Sequence, residues 1–253
     1  DAHTAWSNVT HHHVRDGWYD PDRGEFRGFA ELRDEHPGDE ATETATTTRR
    51  YDLGQDDEAR KLQLVASETT SPRGALVREQ HTLEVDAVAA GVRAVRRVAT
   101  DTFHLEAGPE TAAARVRTEW DFDAWGNLLE ERALGRVDRE TGLDVPGDER
   151  ITTTTYAEPQ SPDAPRDRPS EHVIADADGT QITATRTYYD GPPEQGMPLG
   201  QLGTRGAVSR VEIWIEGETW IPTLRQIVDT RGNVTRLRDA EDGTMLRRYD
   251  DLG

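Results

Sequence analysis

The stretch FDAWGNLLEE, residues 122–131, has a counterpart at residues 228–237, VDTRGNVTRL. In both, an apolar or aromatic residue precedes an aspartate, two variable residues follow, and Gly-Asn leads into an apolar residue. The shared positions are Asp123, Gly126 and Asn127 in one copy and Asp229, Gly232 and Asn233 in the other. An Asp carboxylate accepts hydrogen bonds from backbone N–H groups a few residues on and pins a turn. Gly takes the left-handed conformation without a Cβ penalty, and the next residue re-enters a strand. The unit therefore predicts a β-hairpin that packs only when neighbours add to its sheet, which is the logic of repeat architectures.

Looser copies lie elsewhere. ADADGTQIT (175–183) supplies Asp176 and Gly179, and RDAEDGTMLRRYDDLG (238–253) supplies Asp239 and Gly243. The latter begins a further unit at Tyr249-Asp250, and YDLG (51–54) has the same form. Between these turns run segments rich in branched, aromatic and Thr residues: KLQLVASETT, ALVREQHTLEV, RITTTTY, TQITATRTYY, AVSRVEIWIE and TWIPTLRQIV. Several alternate apolar with polar, as half-buried strands do. The segment 86–101 is rich in Ala and Arg and has helical propensity. Gly91 at its middle and the alternation of Val92, Val98 and Phe103 favour strand instead. The fold class expected is all-β, built of meandering antiparallel hairpins. Residues 157–171 hold four prolines and few apolar side chains, which predicts an exposed loop and a mobile break.

Composition narrows the function classes. Thirty basic residues against 49 acidic give a net charge of −19 over 253 residues, which repels phosphate backbones and anionic lipid surfaces. Arg residues are scattered among acids, so no basic stripe supports nucleic-acid binding. Cysteine is absent, which excludes disulfides and thiolate metal sites. No apolar run approaches the ~18 residues of a membrane-spanning helix.

Near the N-terminus, GWYDPDRGEFRGFAEL (17–32) gathers Trp18, Tyr19, Phe26 and Phe29 about a turn formed by Pro21 and Gly24. Pro presets φ for the turn and Gly closes it. The aromatics pair across the strands, Arg27 bridges carboxylates, and Gly28 admits a second backbone at close range. The segment reads as a folding device; an aromatic platform for sugar is the functional alternative.

WDFDAWGNLLEE, VDTRGNVTRLRD and the terminal RRYDDLG resemble the YD repeats of Rhs-type proteins. DGWYDPDRGEFRGFAEL, RTYYDG (186–191) and QLGTRGAVSRVE (201–212) resemble segments of the B component, the shell-forming subunit of bacterial insecticidal toxin complexes. Trp120 or Val228 stands where a repeat Tyr would be. The resemblance implies a segment of a large hollow β shell that encloses a C-terminal toxin polypeptide until delivery. It also implies no enzyme activity in this chain, no cofactor, and a secreted, extracellular setting. The implied partners are the rest of the same shell, its enclosed cargo and other toxin-complex subunits, with no nucleic acid and no membrane span. In that scheme 1–50 is an opening segment with the aromatic hairpin, and 51–156 holds β hairpins with a YD-like unit at 119–130. The proline-rich loop 157–171 follows, then YD-like hairpins over 172–253, cut within a repeat.

The competing sites are weaker. His11, His12 and His13, with His3 upstream, suggest a metal, but adjacent strand residues face opposite ways, and no third ligand accompanies His11 and His13. The acidic turns at Asp176 and Asp239 lack the Gly and Glu spacing of a calcium loop. No nucleophile elbow, phosphate loop or zinc-protease motif is present. A recognition module binding glycan or protein through Trp214 and Trp220 is the alternative function, and a glycoside-acting enzyme a third.

Overall fold

A computed structural model describes residues 9–38, 43–105 and 114–249. Apart from one short 3-10 turn at Glu58–Arg60, its regular structure is β-strand. The chain divides into two compact units, Asp1–Trp120 with Ala133–Asp148, and Asp121–Arg132 with Glu149–Gly253.

Strands β1 to β8 run His11–Asp20, Glu25–His36, Ala45–Asp52, Gln63–Ser71, Gly74–Ala89, Val92–His104, Ala114–Phe122 and Leu128–Val137. Strands β9 to β17 run Arg150–Tyr156, Glu158–Pro159, Pro169–Asp176, Gln181–Tyr189, Gln201–Leu202, Val208–Glu216, Thr219–Val228, Val234–Asp239 and Thr244–Leu246. Fifteen strands follow one another in chain order in a single hydrogen-bonded sheet. Among the described residues only β10 and β13 stand apart, as a parallel pair. The segment 86–101 is strand, as expected: β5 and β6 pair along their length, and Gly91, at φ 76°, makes the turn between them.

In unit 1 the meander is laid down hairpin by hairpin, and bulges interrupt the register near the turns, at Trp18/Tyr19, Arg50/Tyr51 and Thr69/Thr70. Bulges bend and twist a ladder locally. Among the described residues only nine apolar side chains are buried, and four of those are Ala. A two-layer core is therefore not what holds these strands.

Cross-strand ion pairs take its place. In unit 1 Asp34 contacts Arg49 and lies 2.6 Å from His12, Glu68 sits 2.6 Å from Arg78, and Asp101 sits 2.8 Å from Arg115. In unit 2 Glu171 meets Arg186 at 2.8 Å, and Arg186 and Arg210 lie 3.8 and 3.9 Å from the ring centres of Trp220 and Tyr188. An Arg stem covers apolar surface while its head stays solvated.

Unit 2 has one compact apolar cluster of Ala157, Ala164, Tyr189 and Leu202, with Val208 against it. The segment 157–171 runs largely as loop with many residues exposed, but part of it turns inward. Ala157 and Ala164 are buried there, Ser170 is 2% exposed, and the Gln160 N–H donates to the Leu202 carbonyl at 3.0 Å. The prolines fix the path of the segment so that its few small apolar residues fold inward over Leu202. Among the described residues no helix is long and apolar enough to cross a membrane.

Candidate functional site: pinned turns and a buried arginine

The aspartate turns share one geometry. Asp123 Oδ1 accepts from the N–H groups of Trp125 at 2.8 Å and Asn127 at 2.9 Å. Its own N–H donates to the Asn127 carbonyl at 2.9 Å, and the Gly126 N–H donates to the Asp123 carbonyl at 3.1 Å. Asp229 repeats this with Arg231 and Asn233 at 2.8 and 2.9 Å, and Asp176 with Asp178 and Thr180 at 3.1 and 2.8 Å. Gly126, Gly179 and Gly232 have φ of 89°, 79° and 91°. This is the three-residue hairpin loop in which a left-handed residue follows a tight turn and makes a one-residue bulge.

The fourth copy is displaced by one residue from its sequence reading. Asp239 accepts from Glu241 and Gly243 at 3.0 and 2.8 Å, and the left-handed position is filled by Asp242, at φ 62°. Gly243 occupies the place of Asn127 and Asn233. The spacing from the first Asp decides the frame, and Asp tolerates the left-handed region better than most residues. The YDLG segment is a different structure again. Asp52 accepts from Gly54 at 2.8 Å, with Arg60 3.7 Å away, and the chain runs on through the 3-10 turn before Leu62 N–H returns to the Asp52 carbonyl. A further aspartate turn, not anticipated, is one residue longer: Asp138 Oδ1 accepts from Glu140 and Thr141 N–H at 3.1 and 2.7 Å, with Gly142 at φ 70°. Its Asp-Arg-Glu-Thr-Gly spacing hides it from a search for Asp-x-x-Gly.

Tyrosines complete the motif. Tyr156 and Tyr249 donate their hydroxyls at 3.1 Å to the carbonyls of Leu128 and Val234, the residues that follow Asn127 and Asn233. A later tyrosine, Tyr156 on β9 or Tyr249 just beyond β17, thus clips the exit of an earlier pinned turn. Asn127 also donates through Nδ2 to the Arg166 carbonyl at 3.0 Å, and the Arg166 guanidinium lies 4.5 Å from the Trp125 ring centre.

These contacts set the charge states. Burial pushes the Asp123 carboxyl up, but the hydrogen bonds from Asn127 and Trp125 outweigh it and hold the group below the usual carboxylate range. Asp229 is held low chiefly by the Asn233 N–H, and Asp138 chiefly by the Thr141 hydroxyl. Burial raises Tyr156, with the Asp123 charge adding to it.

The opening hairpin is organised around Arg27. The bulge pairs Trp18 with Gly28 and Tyr19 with Phe26, leaving Arg27 as the extra residue. Its side chain, 1% exposed, turns beneath the hairpin. There it lies 2.7 Å from Asp20 and 3.2 Å from Glu25, contacts Glu58, and sits 5.5 Å from the Trp18 ring centre. Burial pulls Arg27 down, and its contacts with Glu58 and Asp20 more than reverse that. Gly24 has φ 66°, as the Pro21 turn requires. A Cβ on Gly28, at φ 107°, would meet Leu62 Cδ2 at 3.0 Å. Phe26 and Phe29 pack edge-to-face at 5.3 Å and remain exposed. The hairpin is thereby riveted to the 53–62 loop of the same unit.

The competing sites look different in place. Trp214 donates through Nε1 to the Gly217 carbonyl at 2.9 Å, and Trp220 stacks on Arg186. His12 is committed to Asp34, while His11 and His13 pair with Glu35 and Arg33 across the ladder. Among the described residues no group of three or more His, Asp or Glu is placed to hold a metal ion. His3 and Asp250 lie outside the described residues.

The class that emerges is an all-β meander of aspartate-pinned, tyrosine-clipped hairpins held by ion-pair ladders. The sequence matches no protein-family model and no curated protein. Solved structures share its fold. Over 96% of this chain it superposes on the crystal structures of TcdB2-TccC3-Cdc42 and TcdB2-TccC3-TEV, with TM-scores of 0.71 and 0.70 at 12% identity. It likewise superposes on a variant Tc holotoxin pore of Photorhabdus luminescens, with a TM-score of 0.63 at 13% identity. The chain spans 19% of the length of each of those proteins. The fold expected from the YD-repeat resemblance is the fold of these Tc toxin structures.

Proposed function

We propose that the chain is a wall segment of a YD-repeat shell that shields a C-terminal polypeptide cargo before delivery, in an extracellular toxin complex. The observation that carries this reading is the fold likeness to TcdB2-TccC3 over nearly the whole chain. The scarcity of buried apolar side chains supports it, because a wall one sheet thick must be wettable on its faces. The pinned turns then serve to fix hairpin lengths, and the role is mechanical rather than catalytic. The opening aromatic hairpin and the turns at Asp123, Asp176, Asp229 and Asp239 are its framework.

Electron cryomicroscopy of the full gene product carrying this segment tests the proposal. The expected result is that these strands line a closed cavity with polypeptide density inside. Solvent on both faces of the segment, with no enclosed volume, would overturn it.

A further inference from the structure

Unit 1 contains a trough whose chemistry is the reverse of the chain's. Cross-strand register puts Arg15, Glu31 and Arg50 in one row, and Arg33, Thr48, Glu68 and Arg78 in the next, all on the same face. Across β3 and β4 the side chains at Thr48, Ala66 and Thr70 are short; Arg15 and Arg33 stand to one side on β1 and β2, Arg78 to the other on β5, and Arg50 rises from β3 itself. The result is a cavity of about 620 Å³. Four arginines against two glutamates line it, in a chain of net charge −19.

The β1–β3 side holds unspent donors. Glu31 is the shared partner of Arg15 and Arg50, but at 3.8 and 3.7 Å, beyond hydrogen-bond distance. The side chains of Arg15 and Arg50 are 69% and 68% exposed, whereas Glu31 is 19% exposed. Arg33 reaches Glu35 through Nη2 at 3.4 Å, while its Nε is buried without a hydrogen-bond partner. A guanidinium carries five N–H donors in a planar fork matched to carboxylate.

We propose that this trough binds an extended, carboxylate-bearing peptide segment. Three strand spacings, about 14 Å, separate Arg33 on β2 from Arg78 on β5, which is room for one extended chain with its side chains. Successive side chains of such a chain point to opposite sides, so alternate acidic residues reach Arg15, Arg33 and Arg50, while those between them face β5, where Arg78 is held by Glu68 at 2.6 Å. The hydroxyls of Thr48 and Thr70 face the peptide backbone between them. A long polyphosphate is disfavoured, because beyond the trough it meets the net negative charge of the rest of the chain. The proposal stands on unit 1 and is independent of the shell reading.

The test uses the 253-residue chain and a fluorescein-labelled peptide, GSEETEESG, followed by fluorescence anisotropy. Saturable binding that weakens with added salt and loses at least tenfold in affinity in R33Q/R50Q is the expected result. Both arginines are at least partly exposed, and an unchanged circular-dichroism melt confirms that the variant folds. R132Q, outside the trough, should bind as the parent does. No saturable binding, equal binding of the Lys counterpart GSKKTKKSG, or equal loss in R132Q would overturn the proposal. So would tripolyphosphate binding in the trough where the peptide does not.

Discussion

Arg27 Nη2 lies 2.7 Å from Asp20 Oδ2, and the other oxygen of the same carboxylate accepts from the N–H groups of Asp22 and Arg23 at 3.1 and 3.2 Å. One aspartate therefore ends the turn and holds the buried cation beneath it. Arg27→Met should lower the melting temperature by about 5 °C or more, because Asp20, Glu25 and Glu58 are left facing one another. Arg27→Lys should recover only part of the loss, since an ammonium cannot span three carboxylates in one plane. Thermal melts of the two variants read this directly, and identical melts for parent and Met variant would show that the cluster holds nothing.

The left-handed positions offer a cleaner comparison. A Cβ on Gly126 would have nothing within 4 Å, so Gly126→Ala tests conformation alone and should cost about 1–2 kcal/mol. Asp242→Gly should run the other way, raising stability by about 0.5 kcal/mol once loss of its exposed 3.1 Å pair with Arg225 is included. Urea unfolding of both variants measures the pair of effects, and a destabilised Asp242→Gly would mean that the ion pair outweighs the backbone.

Tyr156→Phe removes a single hydroxyl and leaves the Leu128 carbonyl without that donor. The expected cost is about 1 kcal/mol. Amide exchange should concentrate the loss at residues 123–128, and a uniform change across unit 2 would argue against a local clip.

In unit 2, Leu202 is fully buried against Ala157, Ala164 and Tyr189. Leu202→Ala should cost about 2–5 kcal/mol. Limited proteolysis should then cut first within 157–171, the segment that Leu202 holds down.

Acid should unfold the protein through its turns and through the ladder pair at Asp34. Asp34, Asp123, Asp138 and Asp229 are all held below the usual carboxyl range, by the contacts of His12, Asn127, Thr141 and Asn233. A depressed folded value means that the unfolded chain binds protons more readily. The stability these groups add is thus complete above their unfolded range, near pH 4, and lost as pH falls through their lower folded values. Urea midpoints taken from pH 6 to pH 2 should fall steeply below pH 4, and less steeply in Asp229→Asn.

The strands and their order were legible because the signals are local: β-branched runs, and an Asp whose reach to the N–H groups beyond it is set within five residues. Gly91 outweighed the helical propensity of 86–101 for the same reason. What escaped were relations that sequence spacing does not carry. Asp242 took the left-handed place because the count runs from Asp239, not from the nearest Gly. Ala157 and Ala164 are small enough to pass for loop residues, and only the approach of Leu202, about forty positions later, buries them. Arg27 was read as a bridge between carboxylates, but its partner Glu58 comes from a loop with no motif of its own. The trough beside Arg33 depends on register across five strands, which no single stretch reveals.

Chain order and strand order coincide along the main sheet, which bears on how such a protein is made. Each hairpin needs only the one synthesised just before it, and in several the turn is set by an aspartate already in place. Folding can keep pace with the ribosome, one hairpin after another, without waiting for a distant strand to arrive. A gene encoding this arrangement can likewise gain or lose a hairpin and leave every other pairing intact, so size becomes an adjustable quantity rather than a fixed property of the fold.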